Sequence, residues 1–424
     1  MPLDPTWIVR LDEGVSGLAV GIKDLIDVAG VPTTAGCRAV ARRARPADAD
    51  AACMGGLRAA MAEGRARLVG KTNLHELADG ITGINEWAGT PINPLDPGSV
   101  PGGSSSGSAV AVAVGDADIT YGSDTAGSVR IPAACCGVFG LKTTWGRIPL
   151  DGVWPLAPSL DTVGPLARDM VGIVAGMDLL EPGFAASMAG AKEGATAEAV
   201  KVPRSRDGGG IMLATVGRLR LDHIGLEADP SVDAAVDRAL ADTGLAVRDV
   251  RPLGWTEAAR AGLTVIGAEA LAAHATLVLD HPDEIGDDIV AHFAHAARAG
   301  HQRLRDARST LARWCREVDS LWGASPGGAS PGDDSLWRDC GSELAVLALP
   351  TIGVAAPRIG PGAAGAIGVA WTLPISVAGL PALALPLPLA GTSLMASLQL
   401  VGRRGSEATL CTLASQIEAT IAGW

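Results

Sequence analysis

Between Pro101 and Arg130 the chain reads PGGSSSGSAVAVAVGDADITYGSDTAGSVR, and this stretch constrains the fold more than any other. Two loops of small residues, each offering a serine, flank an Ala/Val run and a short strand-like segment. Residues this small let backbone N–H groups come close to a ligand. Two serines so held point to a hydroxyl nucleophile with a helper rather than a cofactor cradle. The run Ala109 to Val114 suits a buried helix that starts at the first serine cluster. Its orphan N–H groups and positive dipole end would then face the site. Asp118–Gly122 is strand-like, and SDTAGSVR leads into IPAACCGVFGLK, a tightly packed turn and helix.

A hydroxyl nucleophile needs a base. The apolar run Gly17–Ile22 ends at Lys23, an unusual place for an ammonium because charge resists burial. Either Lys23 pairs with Asp24 or Asp27, or it is a desolvated lysine able to act as a base. None of the histidines lies close in sequence to either serine loop. Two other chemistries fit poorly. GGSSSGSA lacks the Gly-Lys-Ser/Thr ending of a phosphate-binding loop and the G-x-G-x-x-G dinucleotide spacing. Gly103 to Gly107 matches the G-x-S-x-G nucleophile elbow with Ser105 at its centre, but that motif needs an apolar strand just before it. NPLDPGSVPG, with its prolines, cannot form one.

The formal charge of −12 argues against a nucleic-acid surface. Seven scattered cysteines show no C-x-x-C pair and no metal-ligand spacing, so free thiols, a reducing cytoplasm and no metal are expected. MPLDPTWIVRLDEG lacks the pattern of a signal peptide. From Ile359 to Gly402 there is no charged residue, but Pro361, Pro374, Pro381, Pro386 and Pro388 interrupt the stretch. Buried strands and loops are expected there rather than a membrane span.

Elsewhere the signals alternate. Asp50–Met61 favours a helix and Arg67–Gly70 a strand, followed by Lys71, Asn73 and Glu76, whose hydrogen bonds are expected to hold a loop. Met212–Val216 and Leu245–Val250 read as strands. Between them Asp229-Pro230 starts a helix, with Asp as the cap. Helix then runs from about Glu257 to Leu321, with breaks near His281-Pro282 and Gly300, and Leu344–Leu349 opens a closing set of strands. Residues 203–210 and 323–335 read as flexible surface loops. The whole is α/β: a single large domain, 1–424, with a mixed central β-sheet flanked by helices.

The serine loops resemble those of the amidase signature family of serine hydrolases. GGSSSGSA (102–109) and GSDTAGSVR (122–130) match its two signature loops. Similarity continues through IPAACCGVFGLKTTWGRIPLDGVWPLAPSLDTVGPLARD, upstream in GIKDLIDVAGVPTTAG and VGKTNLHE, and downstream in WTLPISVAGLPALALP and LQLVGR. The resemblance implies a Ser–Ser–Lys triad: Ser128 as nucleophile, Ser104 as proton bridge and Lys23 as base. It also implies a cis Gly103–Ser104 peptide and an oxyanion hole from the backbone N–H groups of Thr125, Ala126, Gly127 and Ser128. No cofactor is implied. Asp124 and Arg130 would brace the nucleophile loop or contact substrate, while Cys135 and Cys136 would serve packing.

The chain departs from the family pattern in places. Ala126 and Ser106 stand where glycine is commoner, and Ala126 disfavours a positive φ. Only 22 residues precede Lys23, fewer than in most of the family, which leaves pocket shape and a homodimer open. The resemblance implies a small-molecule amide substrate, no nucleic acid and no membrane. The alternatives are a glutaminase subunit of a tRNA-dependent amidotransferase, disfavoured by the short N-terminus, and a non-catalytic binding protein on the same fold. Any aromatic pocket wall would come mainly from the ten tryptophans, given three Phe and one Tyr.

Overall fold

The strands follow the alternation of apolar runs and turn residues. In a computed structural model of the chain, residues 4–13, 16–193, 201–202, 212–213, 215–322 and 344–424 are described. The strands are β1 Trp7–Glu13, β2 Leu18–Lys23, β3 Ala66–Thr72, β4 Ile119–Ser123, β5 Phe139–Lys142, β6 Val163–Ala167, β7 Lys201–Val202, β8 Met212–Leu213, β9 Thr215–Leu219, β10 Ala246–Val250, β11 Leu344–Pro350, β12 Ala382–Pro388 and β13 Met395–Val401. Among the described residues, β7 and β8 form a small ladder of their own. The other strands make an 11-stranded mixed sheet in the order β1-β3-β2-β4-β6-β5-β12-β13-β11-β9-β10.

Parallel pairing joins β3, β2 and β4 at one side and β11, β9 and β10 at the other, with antiparallel strands between. Central strands buried on both faces read as continuous apolar runs, which explains LAVGIK and RLVGKT. On one face Val20, Ile22 and Leu68 pack into a large cluster with helices Met170–Leu180, Pro230–Asp242 and Glu407–Ile421. On the other face Ala19 and Val69 pack against helix Ser106–Ala113. The sequence-derived elements fall into place with shifts of a few residues at their ends. Asp229 caps its helix by accepting from Ser231 N, and the long helical region divides into Trp255–Asp280, Asp287–Ala296 and His301–Leu321.

The uncharged stretch resolves into short helices Ala363–Ile367 and Leu373–Val377, then β12 and β13. Pro386 and Pro388 sit where β12 has run beyond its pairing with β5, so their missing N–H groups break no ladder there. Helix Trp255–Asp280 is long and apolar enough by length and composition to cross a membrane. Here it packs along helix His301–Leu321 and buries Trp255 against Trp314, edge to face. The expected loops at 203–210 and 323–335 lie outside the described residues, as does Cys340. The remaining cysteines are free thiols.

Lys71, Asn73 and Glu76 hold the segment after β3, as their polarity suggests. Asn73 Nδ2 donates to Pro5 O at 2.7 Å and Gly89 O at 2.8 Å, and Glu76 Oε2 accepts from Gly286 N at 2.8 Å. Lys71 Nζ lies 2.7 Å from Asp24 Oδ1, with both side chains 0% exposed. Asp24→Asn would leave the Lys71 ammonium buried without its counter-charge. The expected loss is about 3–5 kcal/mol of stability, read as a lower urea midpoint with an unchanged slope.

Candidate active site

The two serine loops meet at the ends of β2 and β4. Lys23 is 0% exposed, and its Nζ donates to Ser104 Oγ at 2.7 Å and to Ser123 Oγ at 2.8 Å. Neither Asp24 nor Asp27 pairs with it. Asp24 serves Lys71, and Asp27 accepts from Thr33 Oγ1 at 2.5 Å. With hydroxyls alone as partners, burial dominates. The Lys23 amine is lowered to about 7, against the opposing pull of the Asp124 and Asp161 charges.

Ser104 is held by its backbone as well as its hydroxyl. His75 N donates to Ser104 O at 2.9 Å, Gly103 N donates to Ile81 O at 2.8 Å, and the Gly103–Ser104 peptide is cis. Ser105, at the centre of the G-x-S-x-G match, is fully buried and donates its hydroxyl to Ser123 O at 3.2 Å. Ser106 is accommodated with its hydroxyl buried. Ser105 N donates to Ser128 O at 3.2 Å, which seats the second loop on the first. Among the described residues nothing hydrogen-bonds to the Ser128 hydroxyl, and the residue is 4% exposed. The structure thus brings Lys23 and Ser104 into direct contact and ties Ser128 to Ser105, the residue after Ser104, through a main-chain bond.

The first N–H groups of the helix start are taken. At helix Ser106–Ala113, Ser106 N donates to Ser104 O and Gly107 N to Asn73 O, both close to 3 Å, so these groups are engaged. One acceptor is the Ser104 carbonyl of the loop itself, and the other comes from the segment that follows β3. By contrast, the N–H groups of Thr125, Ala126, Gly127 and Ser128 donate to no described residue. Four consecutive donors left open inside a buried loop make an arrangement that can receive negative charge. Ala126 does not adopt a positive φ, so its replacement of glycine carries no strain. Gly127 does, at 137°, and a Cβ there would lie 2.5 Å from Thr372 Oγ1.

Asp124 and Arg130 brace this loop. Arg130 Nε and Nη2 donate to the two Asp124 oxygens at 2.9 and 2.8 Å, with both side chains 0% exposed. Burial would raise the Asp124 carboxyl, but the Arg130 charge outweighs it and holds the group below its ordinary range. Arg130 also reaches Gln399 Oε1 at 2.6 Å, Ser376 Oγ at 2.7 Å and Thr372 O at 3.2 Å. Thr372 Oγ1 in turn donates to Ala126 O. Cys135 and Cys136 are buried packing residues, and burial pushes the Cys135 thiol up to about 12.

Several members of this neighbourhood carry no local sequence signal. Ser123 is an ordinary strand residue, and Asp161 reaches Thr125 Oγ1 at 2.6 Å from a distant turn. Burial raises the Asp161 carboxyl, opposed by that hydrogen bond. Lys142 is, after Lys23 and Lys71, a third fully buried lysine, lowered to about 7 by burial and the nearby Arg130 charge. It donates to the carbonyls of Thr143 at 3.0 Å and Leu380 at 2.9 Å, which have no proton to give. Lys71 adds Thr33 Oγ1 to its Asp24 partner, whereas Lys23 bonds to hydroxyls without a carboxylate or carbonyl among the described residues. His75, the histidine nearest Ser104, turns its ring to Asp288 Oδ2 at 3.2 Å.

The amidase family profile matches residues 10–411. The chain belongs to the amidase family. Among relatives, the 2-amino-5-chloromuconic acid deaminase of Comamonas testosteroni is 34% identical over 97% of this chain and 84% of that protein. The 1-carboxybiuret hydrolase subunit AtzE of Pseudomonas sp. (strain ADP) is 42% identical over 179 residues, 41% of this chain. That aligned segment spans only 38% of the AtzE protein's length. A crystal structure described as an amidase superposes with a TM-score of 0.77 at 30% identity, covering 96% of this chain and 86% of that one. The expected mixed-sheet amidase fold is borne out.

The Gly127 geometry makes a direct prediction for this amidase-family loop. Gly127→Ala must change φ or displace Thr372, and either re-aims the adjacent N–H donors. Were these N–H groups to meet an oxyanion, loss of one donor would be worth about 2.7–4 kcal/mol, and kcat would fall by about 100-fold or more. Circular dichroism and the urea midpoint should show the fold retained.

Proposed function

We propose that the chain hydrolyses carboxylic amides of small molecules to an acid and an amine or ammonia. Ser128 is the nucleophile, Ser104 the proton bridge, Lys23 the base, and the N–H groups of residues 125–128 the oxyanion hole. The observation that carries this reading is the buried Lys23 amine, bonded to two hydroxyls and no carboxylate, beside four open backbone donors.

The steps balance within these groups. Neutral Lys23 takes the Ser104 proton while Ser104 takes that of Ser128. The Ser128 oxygen bonds to the amide carbon, and the carbonyl electrons move onto oxygen, where the donors meet them. The C–N bond then breaks, its electron pair leaving on nitrogen, and Lys23 returns the proton through Ser104 to the departing amine. Water repeats the sequence on the ester, releasing the acid and restoring Ser128. Each donor is pre-positioned, so no reorganisation accompanies the charge development.

Ser128→Ala is expected to abolish turnover across a panel of amides, ureas and esters, and a fluorophosphonate should label Ser128 rather than Ser105. Near-full activity in that variant, or a label on Ser105, overturns the assignment. Lys23→Ala should be comparably inactive with the fold intact. A homodimer is the proposed assembly, to be read by sedimentation.

The pH dependence has a defined sign. The base must be neutral, so kcat/KM is expected to rise with pH through about 7 and then level, one proton controlling the acid limb. Stability should follow the same group. The unfolded lysine holds its proton up to its ordinary value of 10.5, whereas the folded one releases it near 7. Between those values the unfolded state binds more protons, so this contribution to stability increases with pH. Urea unfolding at a series of pH values, wild type beside Lys23→Met, isolates it.

A further inference from the structure

Helices Trp255–Asp280, Asp287–Ala296 and His301–Leu321 line an open cavity of about 370 Å³, with Asp79 at one wall. Its floor is apolar. Ile266, Ala270 and Phe293 are buried there and belong to the same packed cluster as Ala126 of the nucleophile loop. Gly267 and Ala296 keep the walls low, since a Cβ on Gly267 would stand 3.1 Å from Ala296 Cβ. The Asp79 wall is continuous with residues 75–81, whose backbone holds Gly103 and Ser104.

The rim carries charge that nothing in the fold uses. Arg260 and Arg303 both line the cavity and are exposed, and neither guanidinium has an ion pair or hydrogen bond among the described residues. Their helices are locked together beside them by Ala261, Val265 and Ala307. Asp79, the carboxylate in the lining, is occupied by His292, with Oδ2 3.6 Å from Nδ1. Two unpaired cations over an apolar floor suit an anion with an apolar body. A polyanion is disfavoured by the chain's formal charge of −12.

We propose that this cavity binds a small organic carboxylate, its apolar part on the Ile266–Ala270–Phe293 floor and its carboxylate taken by Arg260 and Arg303. Planar guanidinium groups match a carboxylate's geometry, and an apolar pocket with a few polar anchors is the usual form of a small-molecule site. The site would select amides that carry a carboxylate remote from the scissile bond, a step that rests on the amide-hydrolysis reading.

The first test is calorimetric titration of the whole chain with benzoate and with benzyl alcohol at low ionic strength. Benzoate should bind more tightly. Arg260→Gln and Arg303→Gln should each weaken benzoate by about tenfold, the scale of one charge-assisted hydrogen bond, and leave benzyl alcohol unchanged. Salt should mimic the substitutions, because exposed charges are screened. Equal affinity for the two probes, or benzoate binding unchanged in the double variant, overturns the proposal. The second test compares adipic acid monoamide with hexanamide as substrates. Arg260→Gln should raise KM for the acidic amide alone, with kcat unaltered. An equal rise for both amides overturns the selective role. Benzoate binding without turnover of any amide would uphold the cavity assignment and remove the hydrolysis reading.

Discussion

The ion pair between Asp124 and Arg130 is the interaction on which the site depends. Both groups are withdrawn from water, and removing a pair of charges from solvent costs several kcal/mol per ion unless geometry and further hydrogen bonds offset it. Here they do. The carboxylate accepts a two-point contact and the Val129 N–H, while the remaining guanidinium hydrogens reach Gln399, Ser376 and Thr372. A loop of residues too small to pack by themselves is thereby fixed to β13 and to helix Leu373–Val377. Charge does for this loop what side-chain volume does for the rest of the core.

Three buried lysines show how partners decide the chemistry of one side chain. Lys71 pairs with a carboxylate, which outweighs the Thr33 hydroxyl and Pro32 carbonyl it also reaches. Lys142 faces carbonyls, which can hold its N–H groups but exchange nothing with them. Lys23 faces hydroxyls, which both hold it and offer a proton. Burial is common to all three, so burial alone does not identify a base.

The sheet, its helices and the two serine loops were legible because their signals are local. Continuous apolar runs, a capped helix start and small-residue loops each lie within a few positions. Lys23 was legible as an anomaly at the end of an apolar run, although its partner was not. Ser123 is a plain strand serine, and Asp24, the neighbour in sequence, points to the other face of the sheet. Gln399, Ser376 and Thr372 come from more than 240 positions beyond Arg130 and leave no trace near it. The direction of the open backbone donors depended on how a turn closes. That is a three-dimensional property: it occupies the first N–H groups of the helix and leaves those of residues 125–128 open.

The pairing of β2 with β3 sets Ile22 beside Lys71 and Lys23 beside Thr72. Successive residues of a strand look to opposite sides, so the two lysines are sorted by parity. One meets the serines and the other meets Asp24, although the strands that carry them are immediate neighbours. Inserting or deleting one residue within β2 would leave its composition almost untouched and exchange the faces. The chemistry of this protein is therefore encoded partly as odd and even, a property that a count of residues or motifs does not register.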